Sequence, residues 1–261
     1  MSDTVYDRHA QFYVDFVDRG REAADRQGCD PLLARLEARL EEALAGARVC
    51  DVCCGEGYVG RWLMRRGARE VIGVDISRAL VEVAKSRADS GGLSYFVRDA
   101  GELQAVASDP FDAVVCHMGL QDVADHRALF AAVRRTLRAG GRFVFSLLHP
   151  CFMAPCHAPD APPWLLDDDG RAVAVVVRRY ATEGYWNSGG DGVRGRMGCH
   201  HRTISTYVND LLASGFQLEG LEELGVDQAP HGSPTALADA PGNKGFAAEV
   251  PYVLLVAARA V

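Results

Sequence analysis

The run Val49-Cys50-Asp51-Val52-Cys53-Cys54-Gly55-Glu56-Gly57, followed fourteen residues later by Val71-Ile72-Gly73-Val74-Asp75, narrows the folds open to this chain more than any other feature. An apolar run that reaches an acidic residue and then opens through glycines reads as a buried strand turning into a helix. The second run reads as another buried strand closed by an aspartate. Two strands joined through a helix pair in parallel, because the chain must cross over to return. Ligands of open α/β sheets bind outside the carboxyl ends of such strands, so the pair describes a seat for a nucleotide-type cofactor.

The rest of the chain repeats the pattern. Residues 4–27 and 31–45 read as helices, the second capped by Asp30, started by Pro31 and striped by Leu32, Leu33, Leu36, Leu40 and Leu44. Strands are expected at about 47–52, 70–75, 93–98, 111–116 and 142–148. The helices between them are expected at about 57–66, 77–88 and 124–138, the last ending at Gly140-Gly141. The alternation breaks at 149–202, where Pro, Gly, His, Asp and Arg are frequent and only 172–177 looks strand-like. It resumes with a helix at 203–214 and strands at 216–224 and 251–258. A segment as long as 149–202 inside a compact domain is usually functional, so it reads as a lid or substrate-pocket insertion after strand five.

Composition enters as a set of exclusions. The 261 residues suit a single domain over 1–261, and a formal charge of −7 disfavours a nucleic-acid partner. No apolar run reaches the roughly 20 residues of a membrane helix, and the polar start Met1-Ser2-Asp3-Thr4 does not resemble a secretion signal. Eight unevenly spaced cysteines, three of them inside the strand–turn motif, read as reduced thiols of a cytoplasmic protein.

Asp51, Gly55 and Gly57, the acidic strand ends Asp75 and Asp99, and Gly140-Gly141 before strand five together resemble the class I S-adenosylmethionine (SAM)-dependent methyltransferases of the small-molecule branch. The resemblance spans about 47–148 by motif and 203–260 by element order. It implies a Rossmann-like seven-stranded, mostly parallel sheet with an antiparallel last strand and helices on both faces. It also implies a helical cover at 1–45, carrying Tyr6 and Tyr13, over the cofactor. SAM is the implied cofactor and S-adenosylhomocysteine (SAH) the product. Asp75 is placed to accept from both ribose hydroxyls. The resemblance puts Ile76 beside the adenine, Asp99 on its exocyclic amine, Ala100 on its ring, and Asp51 and the backbone of Cys116-His117 near the methionine moiety. Cys53 stands where the family usually has glycine. Acidic strand ends and glycine turns also build purely structural corners. A nicotinamide dinucleotide is the weaker alternative, since the G-x-G-x-x-G spacing is absent.

Methyl transfer is an in-line displacement, so alignment supplies most of the catalysis and a histidine can remove an acceptor proton. His149, directly after strand five, is the first candidate base; His201 and His200 follow, each open to a purely structural role. Tyr13, Gln121, Asp122, Tyr185 and Trp186 are the candidate acceptor contacts. Trp164 and Tyr180 are further aromatics of the insertion, and Asp122 also reads as a helix cap. His149, Cys151, Cys156, His157, Cys199, His200 and His201 are metal-type ligands without a knuckle spacing, and no metal is expected. The reading is methyl transfer to O or N of a small metabolite. The alternatives are SAM binding without transfer, as in a cyclase or a partner subunit, and methylation at carbon. A homodimer is left open.

Overall fold

The computed structural model describes residues 3–27, 30–40, 44–152, 164–225 and 249–261. The strands in chain order are β1 (Arg48–Val52), β2 (Glu70–Asp75), β3 (Leu93–Val97), β4 (Phe111–His117) and β5 (Leu137–Leu148). Two short antiparallel ribbons follow: β6 (Trp164–Leu166) with β7 (Ala172–Val175), and β8 (Gly184–Trp186) with β9 (Cys199–His201). The chain closes with β10 (Phe216–Leu224) and β11 (Val253–Ala260). The main sheet has the order β10-β11-β5-β4-β1-β2-β3. All its strands run parallel except β11, which is antiparallel to both neighbours and inserted between β5 and β10. This is the Rossmann-like sheet expected, with its antiparallel last strand.

The helices are α1 (Val5–Arg8), α2 (Ala10–Gln27), α3 (Pro31–Leu40), α4 (Tyr58–Arg65), α5 (Arg78–Ser86), α6 (His126–Thr136), α7 (Val193–Arg196) and α8 (Ile204–Ala213). β1 is buried along its whole length, and successive side chains alternate between two cores. On one face Val49 meets Leu32, Leu36, Leu63 and Val81 of α3, α4 and α5. On the other, Cys50 joins a core shared with Leu129, Phe130 and Val133 of α6 and Tyr207 and Leu211 of α8. Phe130 packs edge-on to Phe143, with ring centroids 5.9 Å apart, and beside Phe145 at 5.8 Å. Each fully buried ring of this kind contributes roughly 1.5–3 kcal/mol.

Besides shifts of a few residues at other element ends, three boundaries differ from the sequence reading. The first helix is interrupted at His9 into α1 and α2. α6 begins at His126 because the Asp125 side chain accepts from Ala128 N at 2.9 Å, so the cap is Asp125 and not Asp122. β5 starts at Leu137 without a break after α6: Leu137 pairs with Phe111, an irregularity follows, and the ladder resumes at Arg142 opposite Ala113. Asp30, Ser77 and Thr203 cap α3, α5 and α8 through their side-chain oxygens. Residues 41–43 of the second expected helix lie outside the described residues, as do Cys156 and His157.

The amino-terminal helices are tied down beside the carboxyl ends of β1 and β2. Asp7 accepts from Ser77 Oγ at 2.8 Å and Ala79 N at 2.9 Å, and its other oxygen closes a capping box with Thr4. Arg87, which caps the end of α5, bridges Asp18 of α2 and Glu56 of the glycine turn at 2.8–2.9 Å. α2 is thereby held over the sheet edge that the sequence marked.

Candidate active site

β1 leaves the sheet through three residues in the left-handed region: Cys53 (φ 59°), Gly55 (φ 53°) and Gly57 (φ 84°). Glycine takes this conformation at no steric cost, whereas Cys53 must be held in it by its surroundings. The two glycines serve different ends. A Cβ on Gly57 would lie 2.5 Å from the Tyr95 hydroxyl, which donates to Gly57 O at 2.8 Å, so this position is closed by packing beneath the turn. Gly55 faces the open side, where the Tyr13 ring lies 3.4 Å from the place a Cβ would take.

Asp75, at the end of β2, locks the turn. One oxygen accepts from Gly55 N at 2.9 Å and the other from Ser77 N at 2.8 Å. Burial pushes its carboxyl up to about 6 against the opposing pull of those amides. Asp51 is 1 % exposed, and its Oδ2 has no hydrogen-bond partner among the described residues. Burial, reinforced by the Asp75 carboxylate, raises Asp51 to about 8. A carboxylate buried this way calls for a cationic partner. Further along the edge, Ile76 is 42 % exposed and Asp99 uses one oxygen to accept from Gly101 N at 2.8 Å. Ala100 begins the 3-10 turn that follows.

A cavity of about 450 Å³ opens from this edge under α2. Asp51, Cys53, Gly55 and His117 belong to its wall, as do Tyr13, Phe12 and Phe16 of α2. Tyr58, Leu148, Tyr252, Trp186 and Arg194 complete most of the far side. His117 is buried against the Tyr58 ring, centroid to centroid 5.7 Å, and its Nδ1 lies 3.1 Å from Ser146 Oγ. Its Nε2 has no partner among the described residues. Desolvation lowers this imidazole to about 4, so it is neutral at physiological pH.

The structure brings some of the expected acceptor contacts to this cavity and not others. Tyr13 and Trp186 are in its wall. Tyr185 points away, 61 % exposed, with its hydroxyl donating to Met197 O at 3.0 Å. Gln121 and Asp122 sit just behind the wall: Gln121 Nε2 donates to Met118 O, and Asp122 pairs with Arg194. None of the three histidines chosen as bases lines the cavity. His149 is 1 % exposed; its Nε2 meets Glu223 Oε1 at 2.8 Å and its Nδ1 accepts from Cys151 N at 3.3 Å, so both nitrogens are engaged. His201 donates through Nε2 to Tyr180 O at 2.7 Å. His200 packs edge-on to Tyr185 at 5.3 Å. Burial lowers the pKa of all three. Among the described residues no three metal-type side chains converge, and the six described cysteines are free thiols.

Phe12, Phe16, Arg21, Tyr58, Arg194 and Tyr252 are wall residues the sequence did not single out. Phe12 and Phe16 were legible as an i, i+4 pair flanking Tyr13 on one helix face. Arg194 carried no signal, because its role depends on a fold-back of β8 and β9.

Sheet, glycine turn and buried carboxylates define an α/β protein built to hold a cationic, nucleotide-type cofactor across the ends of β1 and β2. A crystal structure of an S-adenosylmethionine-dependent methyltransferase from Mesorhizobium loti matches with a TM-score of 0.70 and 32% identity, covering 88% of this chain and 97% of that one. The family described as methyltransferase domain matches residues 49–141. An uncharacterised protein of Haemophilus influenzae is 27% identical over 69% of this chain and 71% of its own. A ubiquinone biosynthesis O-methyltransferase of Xanthomonas oryzae pv. oryzae is 38% identical over 44% of this chain, a match spanning about half (47%) of that enzyme. The chain belongs to the class I SAM-dependent methyltransferases, and SAM is its cofactor. The residues fit that group, since the orphaned, buried Asp51 oxygen on the cavity wall is an acceptor for a cation and Gly55 brings bare backbone to the same wall.

Proposed function

We propose that this enzyme methylates an oxygen or nitrogen of a small-molecule acceptor enclosed in the cavity between α2 and the ends of β1 and β4. The observation that carries the reading is the continuity of that cavity, which runs from the Asp51 carboxylate to a wall of aromatic side chains. Bound SAM supplies an electrophilic methyl on a sulfonium. Asp51 would pair with the methionine ammonium, and Asp75 would accept from the ribose hydroxyls with the lone pairs its two backbone amides leave. Ile76, Asp99 and Ala100 would border the adenine, and the backbone of Cys116-His117 the methionine end. Tyr13 over Gly55 and Trp186 opposite would exclude water and hold the acceptor in line, the alignment that most accelerates a displacement. In this reading 1–45 acts as a cover and 149–202 as the far wall of the acceptor chamber. The general-base role is better sought at the cavity than at His149, whose nitrogens are both taken.

The similarity to ubiquinone O-methyltransferases over 116 residues supports oxygen as the acceptor atom. Two measurements test the proposal together. Mass spectrometry of molecules released on denaturation should find SAM or SAH at near-stoichiometric amount, and incubation with a panel of phenols, amines and carboxylic acids should produce SAH in step with a methylated acceptor. Bound SAM with no turnover on any small acceptor, but turnover on a protein or nucleic acid, overturns it.

A further inference from the structure

The charged side chains on the cavity wall are not equally engaged. Glu56 is held by Arg61 and Arg87, and Arg194 by Asp122. Asp30 accepts from the first amides of α3, and Asp51 is the group we give to the cofactor ammonium. Asp191 is fully exposed and pairs with Arg196. Arg21 is different. It is half-buried in the wall with its guanidinium over the Tyr58 ring, 5.9 Å from the centroid, and no carboxylate among the described residues pairs with it. A guanidinium partly withdrawn from water and stacked on an aromatic face is arranged for a planar anion.

The same Tyr58 ring lies edge-on to His117, and Arg21, Tyr58 and His117 all line the one cavity. The hydrogen-bond inventory assigns the His117 proton. Ser146 Oγ accepts from Met118 N at 3.1 Å, and among the described residues the acceptor for its hydroxyl proton is His117 Nδ1, also at 3.1 Å. Nδ1 is therefore the acceptor, and the free Nε2 carries hydrogen. The cavity wall thus offers a neutral N–H donor, a half-buried cation, and the rings of Phe12, Phe16 and Tyr58.

Resting on the methyltransferase reading, we infer that the acceptor is a flat aromatic or conjugated carboxylic acid, its carboxylate paired with Arg21 and a second oxygen held by His117 Nε2–H. One half-buried guanidinium facing a wall that also holds Asp30 suits a monoanion and opposes a phosphate dianion.

The test uses 2-naphthoate, 2-naphthamide and naphthyl phosphate as probes, titrated calorimetrically into the full chain with and without SAH. The carboxylate should bind about tenfold or more tighter than the amide, as a charge-assisted bond replaces a neutral one. Arg21→Gln should remove that preference, Arg21→Lys should restore part of it, and SAH affinity should stay within about twofold in both. Nitrogen-15 imidazole shifts should report the Nε2–H tautomer of His117. Equal binding of acid and amide, tighter binding of the phosphate, an unchanged preference in Arg21→Gln, or an Nδ1–H tautomer each overturns the inference. Failure of the methyltransferase reading would show separately, as absent SAH binding, because the preference is also read without cofactor.

Discussion

Asp51 and Cys53 are both local anomalies, one electrostatic and one steric, and both lie where β1 meets the cavity. Asp51 is protonated in the folded protein up to about pH 8, while an unfolded aspartate titrates near ~3.9. The folded state therefore holds the extra proton between those values, and stability falls as pH rises through that window. A bound ammonium reverses the preference. We expect the cofactor-free protein to lose Tm from pH 5 to pH 8 relative to Asp51→Asn, and SAM binding near pH 7 to release a proton, measured by calorimetry in buffers of different ionisation enthalpy. A pH-independent Tm difference would refute the assignment. Cys53 holds φ 59°, and Gly119 makes room for it: a Cβ on Gly119 would sit 2.5 Å from Cys53 Cβ. Gly119→Ala should cost about 2 kcal/mol by urea unfolding, and most of that cost should vanish in the Cys53→Gly background, since the clash needs both side chains. Sequence alone marked Cys53 as an odd residue in a glycine position. It could not reveal Gly119, whose constraint arises only where β4 and β1 end side by side.

Among the elements, α1 and α2 depend on a few polar contacts for their place. Asp7 anchors α1 at the start of α5, and the amides and hydroxyls it accepts from lower its carboxyl to about 2 against the opposing pull of its partial burial. Because that value lies below the unfolded one, the docking contributes fully above about pH 4 and is lost as pH falls through about 2. Asp7→Ala should raise amide hydrogen exchange across residues 5–22 at neutral pH and leave exchange in β1 and β4 unchanged. Uniform loosening of the whole chain would mean that the helices are integral to the fold and not a separately opening cover. The existence of these helices was legible from apolar spacing and from Asp30 and Pro31. Their interruption at His9, which leaves the helical region at φ −119° and ψ 21°, was not, because no Gly or Pro marks it.

For the molecule as a whole, the parallel sheet and its site edge were readable because they rest on local patterns: apolar runs, caps, glycine turns and acidic strand ends. The far wall of the cavity was not, because it is assembled from segments distant in sequence, α2, the end of β4, and the 184–201 ribbon. The Arg194–Asp122 ion pair is the bolt of that assembly, joining α7 to the turn after β4, and Arg194 also donates to Gly198 O at 2.8 Å. Burial would lower the arginine, yet Asp122 holds its pKa well above the ordinary value. Removing one partner leaves the other partly buried and uncompensated, a change that costs about 3 kcal/mol. Arg194→Ala should therefore destabilise the chain by that order in urea, whereas Arg194→Met with Asp122→Leu, which removes both charges and keeps the volume, should recover most of it. If the 184–201 ribbon serves the acceptor and not the cofactor, the double variant should keep SAM affinity while its KM for the acceptor rises severalfold. A loss of SAM affinity with an unchanged acceptor KM would instead move the ribbon to the cofactor side and leave α2 as the main acceptor wall.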